Sequence, residues 1–406
     1  MTLLTLLFFV SLLFGQLTGI VVAPGVTLYL HDVLLVTLLM VAGIRSITKP
    51  FRRPALLPAI AGFAGISLLS LVPAASKFAP AEVIQSAMYA VRWITYALLY
   101  VVVVQRVVPM GIWLWGLYGT GVGFAVLGLA QYVLYPSLAN LSYLGWDPHY
   151  YRVFSTLLDP NFTGILLVFT LFLGAALLVM HKKTRWWLLI VQSTTMLALL
   201  LTYSRSSYVA FLAGVLVWII MRRTWKLGII GMAVFVFAVL LLPQHGLDVL
   251  RLTRLDSTMA RIGNWKESLA IIGQSPLVGH GFNTLRFLRE HRGETLDRVI
   301  ISKAGAGMDS SLLFIGATTG LVGFGAYAWL WYKAVILAKR LRNKKNSVLR
   351  YAYLMTLVSL FMHSLFVNSA FYPWVMIWVW ILVGVIEFIF DTSPSAPQSS
   401  GYRLRR

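Results

Sequence analysis

The sequence has 406 residues, of which 59% are hydrophobic and 12% are charged. Soluble proteins are about 45–50% apolar and about 25% charged, so this composition excludes a soluble globular protein and indicates an integral membrane protein. Lysine and arginine total 34 against 13 acidic residues, and the absence of cysteine excludes disulfides, a thiolate nucleophile and cysteine-ligated zinc.

Long apolar runs predict an all-α polytopic membrane protein with about twelve transmembrane helices, because about 20 mostly apolar residues cross a bilayer as a helix. The first run lacks a basic leader and a cleavage site, which predicts a retained span and not a signal peptide. The runs at 207–221 and 227–242 are short, so half-helices or tilted segments are the alternative there. The runs lie near residues 3–22, 26–44, 55–72, 84–105, 112–134, 161–180, 186–203, 207–221, 227–242, 310–332, 350–369 and 371–390.

We expect a single membrane domain over residues 1–391 and a disordered cytoplasmic tail at 392–406, since the tail is rich in serine and proline. Alternating the loops between the two sides of the membrane collects 21 of the 34 basic residues on one side. Cytoplasmic loops accumulate positive charge, so both termini are predicted to be cytoplasmic and no nucleic-acid partner is needed. These residues are Arg45, Lys49, Arg52, Arg53, Arg106, Lys182, Lys183, Arg185, Arg222, Arg223, Lys226, Lys333, Lys339, Arg340, Arg342, Lys344, Lys345, Arg350, Arg403, Arg405 and Arg406.

The large external loop at 243–309 carries nine further basic residues, and long loops are exempt from the orientation rule. Within it, Arg261 lies on a predicted helix in or on the membrane surface, and Arg254 lies seven residues earlier on the same face. A segment with one proline and two glycines, 275–282, ends this helix. A solvated basic face is the alternative explanation. The helix is predicted from four apolar residues spaced 3, 4 and 3 apart: Ile262, Trp265, Leu269 and Ile272.

Arg205 lies between two predicted spans that leave almost no room for a loop. Ser206 or Ser207 is expected to cap the following helix, which places backbone N–H groups and an arginine at one outward-facing helix N-terminus. Anions bind at such places. An interfacial arginine that reaches to the lipid headgroups is the alternative.

Asp309 precedes the tenth predicted span, where an aspartate or serine often caps a helix. The functional alternative is a carboxylate at the outer membrane surface that takes a proton from a hydroxyl group.

Two ionisable residues lie within predicted spans at similar depths. Asp32 is some eight residues in from the outer end of the second span, and Arg92 is about ten in from the outer end of the fourth. We predict that they pair, and separate contacts with the lipid headgroups are the alternative.

The sequence lacks the phosphate-binding loop Gly-x-x-x-x-Gly-Lys, the metal-binding motif His-Glu-x-x-His, and an Asp-x-Asp motif for a metal and a nucleotide sugar. We therefore predict no metal and no cofactor, so arginines must neutralise any anionic leaving group.

Several short motifs follow one another along the chain: Arg152-Val153-Phe154-Ser155, Asp159-Pro160-Asn161-Phe162, Ser204-Arg205-Ser206, Arg261 with Trp265, Pro276-Leu277-Val278-Gly279-His280-Gly281, Asp309-Ser310 and Gly320-Leu321-Val322-Gly323. In this order they resemble the O-antigen ligase and polymerase family of bacterial membrane glycosyltransferases over roughly residues 85–390. Ligases of this family typically have histidine where this chain has Asp309.

The resemblance implies a helical fold of the GT-C kind in the bacterial cytoplasmic (inner) membrane, with the active site under the external loop. The implied donor is a glycan on undecaprenyl diphosphate, and the acceptor is a carbohydrate or lipid-linked hydroxyl. Arg205 and Arg261 would neutralise the diphosphate, and Asp309 would orient or deprotonate the acceptor, with His280 as the substitute. Further substrate-binding residues are predicted to be Arg254, His280, Arg152, Asn161, Trp265, Ser310 and Arg92.

Three functions fit the sequence. Polymerisation of lipid-linked repeat units is favoured because Asp309 replaces the ligase histidine. A ligase that attaches glycan to lipid A core or another acceptor is the alternative within the same class. A secondary transporter or flippase is a third possibility, because twelve spans and the intramembrane pair Asp32 and Arg92 suit a transporter.

Overall fold

The computed structural model describes residues 1–23, 25–48, 50–181, 183, 185–242, 247–292, 308–339 and 347–391, so the predicted tail at 392–406 lies outside the described residues. Within these ranges the chain forms fifteen α-helices and one two-stranded antiparallel sheet of β1 (Ile20–Ala23) and β2 (Val26–Leu28). The helices are α1 (Thr2–Leu13), α2 (Leu30–Thr48), α3 (Leu57–Leu69), α4 (Leu71–Ala74), α5 (Pro80–Val104), α6 (Met110–Leu134), α7 (Pro160–Met180), α8 (Arg185–Leu200), α9 (Arg205–Arg222), α10 (Trp225–Leu240), α11 (Leu247–Gln274), α12 (Leu285–His291), α13 (Ser311–Lys339), α14 (Ser347–Ser364) and α15 (Pro373–Asp391).

The apolar helices make this a polytopic membrane protein. Within the described ranges, seven helical segments are long and apolar enough to cross a membrane. Each of the twelve predicted runs overlaps a helix, and the short run at 207–221 falls in one of the seven. The seven are Leu30–Ile47, Leu57–Ala74, Pro80–Val104, Met110–Leu134, Pro160–Met180, Arg205–Arg222 and Ser311–Lys339, and four shorter apolar segments are Thr2–Leu13, Arg185–Leu200, Gly228–Leu240 and Pro373–Ile389.

The predicted end of the first span and the predicted start of the second are wrong. Residues 20–28 form a β-hairpin instead of continuing the helices. Helix α1 ends at Leu13, and Gly15 follows with φ 54°. A β-carbon on Gly15 would lie 2.3 Å from the Thr156 carbonyl oxygen, so a side chain does not fit at this turn. The β-branched residues that follow favour strand over helix. Apolar composition alone does not distinguish these two outcomes.

Helices α7 and α15 form the centre of the bundle, and almost every side chain of α15 is buried. Helix α15 packs along α5, and α14 packs against both α7 and α9. The indole N–H of Trp374, at the start of α15, donates to the Leu12 carbonyl at 3.0 Å and ties α15 to the end of α1. These contacts bring helices from distant parts of the chain together around α14. The C-terminal end of α14 contacts the candidate site described below.

The segment after α11 is docked on a break in α13. Gly320 interrupts α13 with φ 64° and ψ −166°, and a β-carbon there would lie 2.3 Å from the Leu277 carbonyl. Because Gly320 breaks the helix, backbone groups on both sides of it are available for bonds to 276–281. Those bonds are His280 N to Ala317 O (3.0 Å), Gly281 N to Thr318 O (2.9 Å), Leu321 N to Pro276 O (2.8 Å) and Val322 N to Leu277 O (3.2 Å).

Candidate active site

Arg205 is the first residue of α9, and its side chain is exposed. The predicted helix start is confirmed, but the predicted cap is wrong. Ser204 is the N-cap residue, with an extended backbone (φ −91°, ψ 103°), and its hydroxyl accepts from the Ser207 N–H at 3.4 Å. Ser206 and Ser207 already lie inside the helix and are buried. Arg205 therefore stands at the positive end of a helix dipole with its side chain accessible.

The motif around Asn161 lies directly against this helix start. Asp159 caps α7 by accepting from the N–H groups of Asn161 (2.6 Å) and Phe162 (3.2 Å). The side-chain oxygen of Asn161 accepts from the Ser204 hydroxyl at 2.8 Å, and its backbone carbonyl accepts from the Ser207 hydroxyl at 3.3 Å. Asn161 therefore holds the N-terminus of α9, while its predicted contact with substrate stays a prediction.

Arg152 brings a second guanidinium to the same place. Its Nε donates to the Thr202 carbonyl at 2.9 Å and its Nη2 to the Tyr203 carbonyl at 3.3 Å, both just before α9. Burial, together with the smaller effect of the Arg152 charge, lowers the pKa of His149 to about 3. Burial raises the pKa of Asp147, and Arg152 opposes that rise. The loop at 135–160 thus carries charged groups to the start of α9.

Asp309 is half-buried in front of α13, and its backbone N–H donates to the Asn264 side-chain oxygen at 3.4 Å. Ser310 is the residue that caps α13, because its hydroxyl accepts from the Leu313 N–H at 3.5 Å. Burial raises the pKa of the Asp309 carboxyl, the charges of Arg261 and Arg289 oppose this rise, and Asp147 adds to it. The Asp309 carboxylate is therefore not needed as a helix cap and lies within the electrostatic reach of Arg261.

The sequence did not single out Arg289 or Asn264 as site residues. Arg289 is 6% exposed, and its Nε donates to Glu267 on α11 at 3.0 Å. A weak signal was available, since Arg289 falls in the basic loop at 243–309 with two apolar residues, Phe287 and Leu288, directly before it. Its burial depends on how α12 packs, which the local pattern does not specify.

The N-termini of α9 and α13 meet at the C-terminal end of α14. His363 Nε2 lies 3.1 Å from the Ser206 hydroxyl and 3.2 Å from the Ser207 hydroxyl. The next residue, Ser364, accepts from the Ser310 hydroxyl through its carbonyl at 3.0 Å. Two consecutive residues of α14 thus bring together the helix that starts with Arg205 and the helix that follows Asp309.

The other predicted site residues have varied surroundings. Trp265 on α11 stacks on Phe366 with ring centroids 6.0 Å apart. His280 is buried, with its Nε2 3.1 Å from the Ile271 carbonyl, and burial lowers its pKa. That contact favours a structural role for His280. The side chain of Arg254 lies outside the described part of the chain.

The helix predicted around Arg261 is confirmed as α11, but its apolar stripe is not the buried face. Ile262 and Leu269 are exposed, whereas Ser268 and Ile271 are fully buried. Spacing defines a stripe on a helix without specifying which face the neighbouring helices cover. The exposed stripe is suited to contact with a membrane surface.

The predicted pair of Asp32 and Arg92 is confirmed. Arg92 Nη2 lies 2.5 Å from Asp32 Oδ2 and donates to the Thr27 carbonyl at 2.7 Å. Asp32 also accepts from the Tyr96 hydroxyl and from the Tyr29 N–H. The predicted depth of Asp32 is wrong, because the hairpin displaces the helix start and leaves Asp32 in the first turn of α2. Arg92 is thus occupied by protein partners, and its predicted contact with substrate stays a prediction.

A comparison with protein families found a match to part of the chain. Residues 191–328 match the family model described as O-antigen ligase, and this range contains Arg205, Arg261, Asp309 and the break at Gly320. No match was found among curated proteins. The matched range lies within residues 85–390, where the motifs resemble the same family. The protein is thus a polytopic membrane protein that carries an O-antigen ligase family domain, the domain of a family of membrane enzymes that transfer or polymerise glycans.

Proposed function

We propose that the protein transfers or polymerises oligosaccharide repeat units from a polyprenyl diphosphate, such as undecaprenyl diphosphate, on the outer face of the bacterial cytoplasmic membrane. One observation carries this proposal. The N-terminus of α9, which carries the exposed Arg205, and the N-terminus of α13, which follows the half-buried Asp309, meet at the end of α14. The charge of Arg261 acts on the Asp309 carboxyl. A cationic helix start is suited to bind the diphosphate, and a basic carboxylate is suited to take the proton of the acceptor hydroxyl.

The chemistry divides between the two groups. As the glycosidic bond breaks, the diphosphate leaving group gains negative charge, and the guanidinium groups of Arg205 and Arg261 stabilise it. The acceptor hydroxyl loses its proton to Asp309 while its oxygen bonds to the sugar carbon. The pKa of Asp309 is raised, so its carboxylate is a stronger base than an exposed aspartate. No metal or cofactor has a part in this proposal.

An apolar cavity of about 390 Å³ beside the site supports a lipid-linked donor. It lies between α13 and α14, and Ser364, the residue that accepts from Ser310, forms part of its wall. Aromatic and aliphatic side chains, including Tyr327, Trp331 and Phe361, line the rest. An isoprenoid chain is suited to such a groove, with its diphosphate at the end near Ser364.

The test is glycan transfer by purified protein in detergent, with a labelled lipid-linked oligosaccharide and a carbohydrate acceptor. We expect Arg205→Ala and Arg261→Ala to fold normally and to lose about 10²–10³-fold in kcat, on the order of 3 kcal/mol in the barrier for each. Lys226→Ala is the matched control, because Lys226 is an exposed lysine at the start of α10. Wild-type turnover by either arginine variant would refute the diphosphate role.

Polymerase and ligase activity differ in their products, and polymerisation is the version we propose because Asp309 replaces the ligase histidine. A deletion strain should then show single repeat units on the acceptor by gel analysis. Full-length chains left on the carrier lipid would instead identify a ligase.

A transporter is disfavoured because Arg92 and Asp32 form an ion pair within the protein. Arg92 also donates to the Thr27 carbonyl, and Asp32 also accepts from the Tyr96 hydroxyl. A coupling or substrate-binding pair requires groups that the substrate can reach. Conversion of lipid-linked glycan in detergent, where no compartments exist, would separate the enzyme from a flippase. We propose a topology with twelve membrane spans, cytoplasmic termini and the active site on the outer face of the membrane.

A further inference from the structure

We infer that His363 is a positioning residue that holds the N-terminus of α9, and with it Arg205, in a fixed place relative to Asp309 and the N-terminus of α13. This inference rests on the proposed function, because it assigns the residue that keeps the two halves of that site together.

Both ring nitrogens of His363 are engaged within the protein interior. The side chain is fully buried, with Nε2 3.1 Å from Ser206 Oγ and 3.2 Å from Ser207 Oγ, and Nδ1 2.5 Å from Ser369 Oγ. Ser206 and Ser207 are the second and third residues of α9, directly after Arg205. One ring therefore joins the first turn of α9 to the segment that follows α14.

The neighbouring serines indicate which ring nitrogen of His363 carries the proton. Ser369 Oγ donates to the Val367 carbonyl at 3.3 Å, so it accepts from His363 Nδ1–H. Nε2 is then unprotonated and accepts from a serine hydroxyl. The single hydroxyl proton of Ser207 is directed to Ser204 Oγ (2.9 Å) or to the Asn161 carbonyl (3.3 Å), which leaves Ser206 as the donor to Nε2. A neutral imidazole with its proton on Nδ1 satisfies this network.

The segment that His363 begins also holds the start of α13. The Ser364 carbonyl accepts from Ser310 at 3.0 Å, and the Val367 carbonyl accepts from Ser311 at 3.4 Å. The Ala370 N–H donates back to the Ser311 hydroxyl at 3.1 Å. Residues 363–370 therefore contact both helix starts, and His363 is the member that reaches α9.

The distance between Arg205 and Asp309 matters for the rate. A displacement of about 1 Å between groups that act together in a transition state costs about 10²-fold in rate. Arg205 and Asp309 lie on different helices, and their relative position depends on buried contacts such as these. His363 is fully buried and both of its ring nitrogens are bonded to serine hydroxyls, so we assign it a positioning role and no part in the chemistry itself.

Two substitutions of His363 test the roles of its two ring nitrogens separately. His363→Gln keeps a polar group near the Nε2 position for Ser206, whereas His363→Asn keeps one only near the Nδ1 position for Ser369. We expect His363→Asn to lower kcat about 10–100-fold with the KM for the donor nearly unchanged, and His363→Gln to recover most of that loss. Ser359→Ala is the matched control, because Ser359 lies one turn earlier on α14 and donates to Ala210 of the same helix α9 at 2.6 Å.

A measurement independent of activity uses the absence of native cysteine. Spin labels at Val209→Cys on α9 and Leu321→Cys on α13, whose native side chains are 40% and 61% exposed, report the distance between the two helices. We expect His363→Asn to broaden this distance distribution and Ser359→Ala to leave it as in the wild type.

The inference is overturned if His363→Asn leaves both kcat and the distance distribution unchanged, or if Ser359→Ala changes them equally. A wild-type protein that transfers no glycan would refute the proposed function alone, because the spin-label distances would still test the role of His363.

Discussion

Asp309 is a half-buried carboxyl group that the fold does not use as a helix cap, because the neighbouring Ser310 caps α13. Burial raises its pKa, while the positive charges of Arg261 and Arg289 act against that rise. A carboxylate kept basic by burial and held among cations suits a general base. The pKa of this one carboxyl group therefore determines at which pH the proposed reaction is possible.

We expect Asp309→Asn to lower kcat about 10²–10⁴-fold without loss of folded protein, since it removes the general base. In the wild type the base is active only when deprotonated. The rate should therefore fall as the pH drops through a pKa above the usual aspartate value.

In Arg261→Gln, one charge that lowers this pKa is lost, so the acidic limb of the residual rate should move to higher pH. The same profile in Lys226→Gln should stay where it is in the wild type. A wild-type rate in Asp309→Asn, or an acidic limb that moves to lower pH in Arg261→Gln, would contradict the assignment.

At the level of secondary-structure elements, the broken helix α13 determines how the loop that contains residues 276–281 is placed. The loop segment 276–281 and the break at Gly320 share four backbone hydrogen bonds, so α11 and α13 are joined through main-chain groups. Such bonds fix position more strictly than side-chain contacts, because the backbone has fewer soft torsions. The two glycine-containing motifs that resemble a family signature thus have a structural role in this chain.

Gly320→Ala should destabilise the protein by about 1–3 kcal/mol, because it combines a strained backbone with a β-carbon 2.3 Å from the Leu277 carbonyl. Gly325→Ala is the control, since its β-carbon would meet no heavy atom within 4 Å on the same helix. Thermal unfolding in detergent measures both. Equal melting temperatures for the two variants would show that the break does not need glycine.

The ion pair between α2 and α5 joins two residues, Asp32 and Arg92, that lie 60 positions apart in the sequence. Asp32→Asn and Arg92→Gln should each lower the folded yield, since removing one partner of a buried pair costs about 3–5 kcal/mol. The double variant should lose less than the sum of the two single losses. Strict additivity, measured as folded protein after detergent extraction, would refute a coupled pair.

At the scale of the whole molecule, the site is assembled from segments that are distant along the chain. Asn161, Arg205, Asp309 and His363 come from four different parts of the sequence and meet around the first turns of α7, α9 and α13. These helix starts lie at one end of the bundle. The distribution of basic residues predicts that this end faces outward.

Orientation can be measured directly, because the chain contains no cysteine that would react in the background. Tyr143 is exposed in the loop after α6, and Lys183 is exposed between α7 and α8. A membrane-impermeant maleimide should label Tyr143→Cys in intact spheroplasts and Lys183→Cys only after permeabilisation. The reverse labelling pattern would invert the proposed topology.

The amino-acid sequence alone predicted the properties that depend on local composition. Apolar runs predicted where the helices lie, and Arg205 and Asp309 were recognised beside helix starts, because hydrophobicity and capping preferences act within a few residues. The same local rules failed at residues 20–28, where an apolar β-branched run suits a strand as well as a helix.

Which of these residues meet became clear only from the packing of the helices. The contact of His363 with Ser206 spans 157 residues, and the contact of Ser310 with Ser364 spans 54. Burial of Arg289 and the raised pKa of Asp309 arise from the same packing. Such contacts depend on how whole helices pack, and helix packing is determined by the summed surfaces of several elements at once, which no local pattern contains.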